Sequence, residues 1–495
     1  MRGTLLNLVG EGLPLAVALA TMPFVVRGLG PARFGVLALA WVVLSYFGVF
    51  DLGLGRATTR FVAEALGQGR PERVPSLAWS AMLMQLGLGL AGGLVLAALA
   101  PVLVGHVLKV PPELAKETRA AISLLALAVP AVLVAGSLRG VLEAAQRFDL
   151  VNAVKAPFGA ANFLIPLLGV VRGWGLPGIV ALLVAARVAA LGFLLLCCLT
   201  VFPGLRRRPT FARADARALF GFGGWITVSS VLSPILVYLD RFVLGAVVSL
   251  AAVAYYSAPY EMVTRLWMLP ASLATTLFPA FSALSGQERP ARQQAVAAQS
   301  LKYLLVVLGP VVALVAASAR DLLHLWLGPD FAQYGTAVVQ IIAVGVLVNS
   351  LAQVPYALVQ ADGRPDLTAK FHLAELVPHI VLSWVLVTAL GVPGAAVAWT
   401  LRVTVDAALL FVAARRVSGL PLSSLLGARI SWTVSLLTAF LLIAVATNRL
   451  MAARGERLLL LTAGFVATTA ALWRWSLDSD DRSRFARLVG GAVVG

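Results

Sequence analysis

Cysteine and charge are both scarce in this chain of 495 residues. Its two cysteines, Cys197 and Cys198, are neighbours inside an apolar run, so neither a disulfide framework nor a thiolate metal site can be built. Only 12% of the residues are charged, whereas 60% are hydrophobic and the mean hydropathy is +0.92. Because a soluble core cannot hide so much apolar surface, the composition predicts a polytopic membrane protein.

Nucleotide-binding and metal-binding motifs are lacking as well. None of the five lysines follows a glycine, which excludes a Walker A loop. His372, Glu375 and His379 have only a loose metal-ligand spacing and no further ligand cluster beside them. We therefore expect no cofactor, no metal and no catalytic residue. Four glycines lie close together in one apolar run: Gly87, Gly89, Gly92 and Gly93. Because no strand precedes them, they do not form a nucleotide-binding fingerprint, and we interpret them as a surface for close helix packing.

Apolar runs of about 20 residues, the length at which a helix crosses a ~30 Å hydrocarbon layer, recur along the whole chain. We predict an all-α fold of about 14 transmembrane helices. The first run carries no clear cleavage site and is interpreted as an uncleaved span. The predicted spans lie near 4–26, 34–55, 76–104, 119–138, 151–171, 176–200, 219–244, 253–279, 302–319, 336–359, 368–390, 394–414, 430–447 and 457–474.

Positive charge is distributed unevenly between the two sides of this predicted bundle. With the N-terminus inside, 25 of the 39 Lys and Arg residues fall on the cytoplasmic side, 10 on the other side and four within spans. The positive-inside rule therefore predicts that both termini are cytoplasmic. The formal charge of +17 is thus a topology signal, and we expect no nucleic-acid partner.

Two short patterns recur at nearly the same offset. Residues 175–178 (Gly-Leu-Pro-Gly) return as 391–394 (Gly-Val-Pro-Gly), 216 positions later, and each opens an apolar helix. Residues 147–150 (Arg-Phe-Asp-Leu) return as 364–367 (Arg-Pro-Asp-Leu), 217 positions later. Self-similarity at one period indicates a duplicated bundle.

The duplication and the densest basic run together predict the domain organisation. We expect an N-terminal six-helix lobe (1–204), a basic cytoplasmic linker (205–218), a C-terminal six-helix lobe (219–418), and two appended helices with a cytoplasmic tail (419–495). An even number of crossings makes the lobes parallel repeats, for which a substrate site near the midplane is typical. The linker arginines either keep this segment on the cytoplasmic side or contact the headgroups of anionic membrane lipids.

Three arginines fall deep inside predicted spans. At ~1.5 Å rise per residue, Arg187, Arg265 and Arg402 lie about 17, 20 and 12 Å from the outer ends of their helices. A charge at that depth is costly, so such residues usually face a bundle interior or a wet cavity. The planar, permanently charged guanidinium suits phosphate oxygens. We therefore predict that these arginines bind an anionic substrate group.

Four carboxylates are candidates for coupling transport to an ion gradient: Glu261, Asp406, Glu375 and Asp240. Glu261 shares a helix face with Arg265, and Asp406 shares one with Arg402, since both pairs are four residues apart. Each pair either neutralises itself or holds its arginine until phosphate or a proton displaces the carboxylate. For Asp240 and its neighbour Arg241, an interfacial anchor is the competing interpretation.

Arg56 and Arg60 follow Asp51 and the glycine-rich residues 52–55, at the predicted cytoplasmic mouth of the second span. We interpret these two arginines first as topological determinants. The alternative is that they bind an anionic substrate where it enters the bundle.

Several loose motifs, by their order and spacing along the chain, resemble the polysaccharide transport or oligosaccharide flippase family of the multidrug/oligosaccharidyl-lipid/polysaccharide exporter superfamily. The resemblance covers roughly residues 1–420. The motifs that carry it are Asn7, Gly10, Pro23–Gly30, Phe34-Gly35, Asp51–Leu54, Leu239–Gly245, Val253–Tyr256 and Leu277–Pro279.

This resemblance implies two six-helix lobes around a central cavity that opens alternately to each side of the bacterial cytoplasmic membrane. It implies that the protein flips an undecaprenyl-diphosphate-linked oligosaccharide from the cytoplasmic to the periplasmic leaflet. Family cavities are basic, and Arg56, Arg60 and Arg265 are the matching positions. The implied partners are the lipid-linked glycan, membrane lipids, and a glycan polymerase or glycosyltransferases encoded nearby.

Two alternatives remain open. A multidrug or cation antiporter of the same superfamily would need an acidic, aromatic cavity, which the excess of arginine in the spans disfavours. A membrane glycosyltransferase or polymerase would need a sizeable polar loop bearing catalytic groups, and no such loop separates the predicted spans.

Overall fold

The computed structural model of the chain is helical in the part that it describes, namely residues 2–46, 53–206, 210–221, 224–268, 270, 277, 281, 289–419, 428–451, 453–479 and 481–482. No strand occurs in those ranges, which confirms the all-α class. The helices described there are α1 (Arg2–Tyr46), α2 (Leu54–Gly67), α3 (Val74–Val102), α4 (Pro112–Ala144), α5 (Phe148–Val171), α6 (Leu176–Val201), α7 (Arg213–Gly221), α8 (Gly224–Val247), α9 (Leu250–Thr264), α10 (Arg289–Ala317), α11 (Ala319–Trp326), α12 (Pro329–Ala361), α13 (Pro365–Leu390), α14 (Val392–Ser418), α15 (Ala428–Leu450) and α16 (Arg454–Trp475).

Eleven stretches of these described residues are long and apolar enough to cross a membrane. The first of them, Gly12–Leu44, overlaps both of the first two predicted spans, because α1 consists of two helical segments that meet at a kink at Gly30. Gly30 has a φ of 73°, outside the helical region, and Pro31 starts the second segment. The chain is a multi-pass membrane protein, and the count of 14 spans stays a prediction.

Backbone contacts group the chain into two compact units, Met1–Ser257 (unit 1) and Ala258–Gly495 (unit 2). The division falls inside α9. This grouping reflects compactness rather than sequence repetition, so the predicted lobes 1–204 and 219–418, the linker and the appended region stay predictions.

The main packing within unit 1 joins α1 to α5, α3 to α4 and α4 to α6. Two glycines bring the backbones of α3 and α4 together. A Cβ atom on Gly89 would lie 2.5 Å from the Cα of Pro130, and one on Gly93 would lie 2.6 Å from the carbonyl oxygen of Ala126. The helix-packing interpretation is confirmed at these two positions, whereas Gly87 faces open space.

Helix α2 was not predicted. The second span was expected to run through residues 34–55, but α1 ends at Tyr46 and α2 begins at Leu54 after Gly53, whose φ is 74°. The buried residues of α2, among them Leu54, Thr58 and Val62, recur every three or four positions, so the helix buries one face. Arg56 and Arg60 therefore lie on an amphipathic helix rather than in a loop. Asp51 lies outside the described residues.

The predicted linker contains a helix that is anchored to unit 1. Asp215 of α7 accepts hydrogen bonds from Arg73 Nη2 at 3.1 Å and from Ser76 Oγ at 2.6 Å, at the start of α3. Leu219 of the same helix packs with Leu54 of α2. The described part of this basic segment therefore packs against α2 and the start of α3 and is not an extended linker.

The recurring Arg-x-Asp pattern has the same local structure in both places. Arg147 donates to both carboxylate oxygens of Asp149 at 2.9 and 2.8 Å at the start of α5. Arg364 does the same to Asp366 at 3.0 and 3.3 Å at the start of α13. A residue with positive φ precedes each arginine, Gln146 in one case and Gly363 in the other. The two copies of this sequence pattern therefore also share their local structure.

Unit 2 is held mainly by α12 against α14, α13 against α14 and α10 against α12. Helix α10 starts at Arg289, well before the expected start at residue 302, and the short α11 follows it. The eighth span, expected at 253–279, is described only in part: α9 ends at Thr264, and Arg265 begins a single 3₁₀ turn.

Helix α16 is fixed at both ends by polar clusters. At its N-terminal end, Arg457 donates from Nε (2.7 Å) and from Nη2 to the buried carboxylate of Asp321, and this set is the Asp321 clamp. Beyond its C-terminal end, the buried Asp481 accepts hydrogen bonds from Lys302 Nζ and from Tyr303 Oη (2.8 Å), and this set is the Asp481 clamp. Few other side chains of α16 are buried, so the clamps account for much of its attachment.

Burial alone would raise the pKa of Asp481. The hydrogen bonds from Lys302 and Tyr303 outweigh that effect and hold its pKa well below the usual range of a carboxyl group.

Candidate functional site

Arg187 lies on the inward face of α6. The buried residues Leu183, Leu194 and Cys198 mark one stripe along this helix, and Arg187 falls in register with them, four residues after Leu183. Its Nη2 donates a hydrogen bond to Oδ1 of Asn162 on α5 at 3.0 Å. In the part of unit 1 that is described, no carboxylate forms an ion pair with Arg187. The guanidinium is therefore partly buried and keeps an uncompensated positive charge.

Arg402 has a different environment, on α14 of unit 2. Its Nη1 lies 3.4 Å from Oε2 of Glu375 on α13, and the two side chains are only 9% and 6% exposed. The partner expected from sequence was Asp406, one turn further along α14. No ion pair joins Arg402 to Asp406 among the described residues, so the ion pair connects two helices instead of lying along one.

Asp406 is nevertheless close to the same ion pair. Its buried carboxyl group interacts electrostatically with Glu375, Arg402 and His372. His372 and Glu375 are three residues apart and so share a face of α13. The α13–α14 charge cluster, as we call it, consists of His372, Glu375, Arg402 and Asp406, with two carboxyl groups around one guanidinium.

The cluster has hydrogen-bonding capacity that the protein does not use. Oε1 of Glu375, Nε of Arg402 and Nδ1 of His372 are buried without a hydrogen-bond partner in the described structure. The carbonyl oxygen of Ala374 lacks its helical hydrogen bond as well, because Pro378, four residues later in α13, has no N–H to donate. Buried polar groups are usually paired, so unpaired ones in the middle of a span mark a site where water, a proton or an ion is accommodated.

The local geometry explains why these groups meet. Gly391 takes a φ of 66°, which turns the chain between α13 and α14 so that the two helices run antiparallel. Glu375 lies 15 residues before Leu390, and Asp406 lies 14 residues after Val392, so both residues are about 21–23 Å along their helices from this turn. Both helices therefore place their acidic residue at the same depth.

Arg265 forms the ion pair that the spacing predicted. Its Nη2 lies 3.2 Å from Oε2 of Glu261, and the side chains are 44% and 37% exposed. This pair lies four residues apart along one chain segment and is far more exposed than the Arg402 pair. Two of the three arginines thus have carboxylate partners, and Arg187 is the one whose described partner is neutral.

The remaining candidates are divided between surface and interior. Arg56 and Arg60 are exposed on α2, with Arg60 5.9 Å from the ring centroid of Phe61. Asp240 is fully buried and accepts a hydrogen bond from Tyr256 Oη at 3.0 Å. Its neighbour Arg241 is also buried, over the ring of Tyr238, so this pair packs inside unit 1 and does not extend to a lipid interface.

Sequence reasoning missed Asn162 as the partner of Arg187, and it considered His372 only for a loose metal-ligand spacing and not as a neighbour of Arg402 and Asp406. Both are polar residues inside an apolar helix, and that is the signal that could have identified them. Among the described residues, no three His, Cys, Asp or Glu side chains are arranged to hold a metal ion.

Comparison with known proteins identifies the family. The sequence profile described as "Polysaccharide biosynthesis protein" matches residues 1–285, and the profile described as "MatE" matches residues 226–385. The Shigella flexneri protein named "Putative O-antigen transporter" is 30% identical over 411 residues, which is 83% of this chain and 96% of that protein.

Solved structures show the same fold. A multidrug resistance MATE family transporter of the MOP superfamily, in an inward-facing conformation, aligns with a TM-score of 0.71 at 16% identity, covering 83% of this chain and 98% of its own. The lipid II flippase MurJ, in an inward closed conformation, aligns with a TM-score of 0.69 at 12% identity over 99% of both chains. On the profile and on the Shigella relative together, the chain belongs to the polysaccharide biosynthesis protein family.

Proposed function

We propose that this protein is a flippase that moves a lipid-linked oligosaccharide across the bacterial cytoplasmic membrane. One observation carries the proposal: the relative named as an O-antigen transporter matches over 96% of its length at 30% identity. The fold shared with the lipid II flippase MurJ is consistent with it. The proposed substrate is an undecaprenyl-diphosphate-linked glycan, which moves from the cytoplasmic to the periplasmic leaflet by alternating access, with both termini in the cytoplasm. Glycosyltransferases or a polymerase would act before and after this step.

Within this proposal, Arg187 binds the diphosphate. Its partner Asn162 is neutral, so a phosphate oxygen can approach without displacing a carboxylate. Arg402, by contrast, must first leave Glu375. Arg56, Arg60 and Arg265 are exposed and are proposed to attract the anionic substrate by their charge rather than to hold it.

The α13–α14 charge cluster is proposed to couple transport to an ion gradient. Two carboxyl groups share one guanidinium, so one carboxyl group is available to take up a proton or a monovalent cation. Glu261 and Asp240 are weaker coupling candidates, since Glu261 has its own arginine and Asp240 is occupied by Tyr256.

The test is flipping of a labelled undecaprenyl-diphosphate glycan in proteoliposomes. Arg187→Gln removes one charge-assisted hydrogen bond, worth about 1.5–3 kcal/mol, so we expect flipping to fall roughly 10- to 100-fold. Arg187→Lys keeps the charge and should retain part of the activity. Arg172→Gln, the same change at an exposed position just beyond α5, is the control and should leave flipping unchanged. Full flipping by Arg187→Gln would remove Arg187 from the mechanism.

Coupling is tested separately with Glu375→Gln and Asp406→Asn. We expect both variants to move substrate down its own gradient while losing the response to an imposed proton or sodium gradient. A wild-type response to the imposed gradient in both variants would contradict the coupling role.

A second function, extrusion of cationic drugs, is favoured by the buried carboxyl groups of unit 2 and by the fold shared with a MATE transporter. A dye-efflux assay in cells without their own pumps distinguishes the two functions. Efflux without glycan flipping would replace our proposal with this one.

A further inference from the structure

Unit 1 contains an apolar cavity of about 420 Å³, at the end of the bundle where α3 ends and α4 begins. Its walls come from the second segment of α1, the C-terminal half of α3, the connection that follows α3, the part of α4 from Thr118 to Leu133, and Phe242 of α8. Thr118 contributes the one polar side chain among the described residues that line it. Arg187 and Asn162 do not line the cavity, so it is separate from the proposed diphosphate site.

The size and polarity of the cavity fit a hydrocarbon chain. Protein interiors contain few voids larger than a water molecule, and ligand pockets typically have volumes of about 300–1,000 Å³. Apolar cavities stay dry and bind apolar molecules. Lining residues along α3 extend from Leu88 to Leu99, about 17 Å at 1.5 Å per residue, so the cavity is long rather than round. This length exceeds half of a ~30 Å hydrocarbon core.

The cavity is open at the surface of unit 1. Val95 and Leu99 line it and are 58% and 46% exposed, on the apolar face of a membrane-spanning helix. A lipid chain in the adjacent leaflet can therefore enter sideways, without crossing polar surface. Lys116 and Arg119, at the start of α4, are exposed at the same end of the bundle, where a lipid phosphate would lie.

We propose that this cavity binds one acyl chain of a membrane phospholipid, whose phosphate lies near Lys116 and Arg119. If each carbon atom of a chain takes about 30 Å³, the volume share of one water molecule in the liquid, the cavity has room for about 14 carbon atoms. This number is close to the number of carbon atoms in a phospholipid acyl chain. An undecaprenyl chain has roughly four times as many carbons and does not fit inside it. The bound chain fills space between α1, α3 and α4, so it acts as a structural lipid of unit 1 rather than as the transported substrate.

The test uses the full-length protein in nanodiscs that contain phosphatidylglycerol with a photoreactive group in one acyl chain. After irradiation, mass spectrometry identifies the labelled residues. Ala40→Phe fills the cavity from a buried lining position, and Leu94→Phe places the same ring on the exposed face of α3, outside the cavity. Ala40→Leu is a milder filling variant, to be used if Ala40→Phe does not fold.

We expect labelling of lining residues on α3 and α4 in the wild type and in Leu94→Phe. Ala40→Phe should reduce it by at least about tenfold, the change expected when two or more methylenes lose their burial. Unlabelled phosphatidylglycerol should compete, and undecaprenyl phosphate should not. Equal labelling of Ala40→Phe and Leu94→Phe, or stronger competition by undecaprenyl phosphate, would overturn the proposal. Loss of flipping by Arg187→Gln is independent of these outcomes, so the two proposals can fail separately.

Discussion

Two single substitutions in the α13–α14 charge cluster should have very different effects on unit 2. Arg402→Gln leaves the carboxyl groups of Glu375 and Asp406 buried together without their guanidinium, and only the imidazole of His372 remains beside them. Glu375→Gln leaves Arg402 with Asp406, one helical turn away, as a substitute partner. The asymmetry follows from the ratio of two carboxyl groups to one guanidinium.

The magnitudes follow from burial. Removing one partner of a buried ion pair costs about 3–5 kcal/mol, because it leaves an uncompensated charge in a medium of low dielectric constant. That range applies to Arg402→Gln, since both side chains of the pair are less than one-tenth exposed. Glu375→Gln should cost about 1 kcal/mol, the net value of one hydrogen bond. At about 2–4 °C per kcal/mol, the expected decreases in Tm are roughly 6–20 °C and roughly 2–4 °C.

Thermal unfolding of the purified variants, followed by tryptophan fluorescence in one detergent at pH 7, measures both decreases. Arg265→Gln is the matched control, because it removes the same guanidinium from an exposed pair with Glu261. Exposed pairs contribute about 0–1 kcal/mol, so this control should unfold within about 4 °C of the wild type.

The reasoning would be refuted if Glu375→Gln lowered the Tm as much as Arg402→Gln. Asp406 would then not be able to replace Glu375, and the cluster would be a single fixed ion pair. A second check is the double variant Glu375→Gln, Arg402→Gln, which should be more stable than Arg402→Gln alone, since it removes one of the two uncompensated carboxyl groups.

Further predictions concern sites outside the charge cluster. Asp481→Asn should lower the Tm at neutral pH by several degrees, because it weakens the hydrogen bond from Lys302. The pKa of Asp481 is lower in the folded protein than in the unfolded chain, so its contribution to stability is complete above about pH 4, starts to decline below that pH, and is lost only as the pH passes through the lowered pKa of the folded state. Tm measurements of the wild type and Asp481→Asn from pH 7 to pH 3 should therefore show a difference that is largest at pH 7 and begins to shrink below about pH 4; a difference as large at pH 3 as at pH 7 would contradict this. Gly89→Leu should force α3 away from Pro130 and reduce the yield of monodisperse protein in size-exclusion chromatography, while Gly87→Ala, in open space on the same helix, should leave the yield unchanged; equal yields would show that the close approach is not needed.

The membrane-spanning helices were predictable because their signal is local. An apolar run of the length of the bilayer leaves few alternatives to a helix, and the predicted third and sixth spans, 76–104 and 176–200, end within two residues of α3 and α6. The short α2 was missed because its 14 residues are too few to span a membrane and follow a glycine-rich stretch, which is typical of a loop.

The pairing of charges was predictable only in part. Glu261 precedes Arg265 by four residues, the favourable order for such a pair on a helix, and the ion pair forms. Arg402 precedes Asp406, the unfavourable order, and its side chain contacts Glu375 of the neighbouring helix instead. The order of the charges was visible in the sequence, but the identity of the tertiary partner depends on how α13 packs against α14.

The location of the cavity in unit 1 could not have been predicted from sequence. Its lining residues are ordinary aliphatic side chains on several helices, and nothing distinguishes Ala40 or Leu125 from the many similar residues that pack tightly elsewhere. A gap between helices depends on where their backbones diverge. That divergence is a property of the whole bundle and not of any one residue.

The two clamps on α16 have a consequence for the membrane in which this protein works. From Arg457 to Trp475 the helix rises about 27 Å, slightly less than the ~30 Å hydrocarbon thickness of a typical bilayer. Because charged side chains at each end cannot enter hydrocarbon cheaply, this spacing sets the lipid thickness that unit 2 tolerates. Thickening the membrane with longer-chain lipids should therefore strain the ion pair of Asp321 with Arg457 at one surface or the hydrogen bonds of Asp481 at the other.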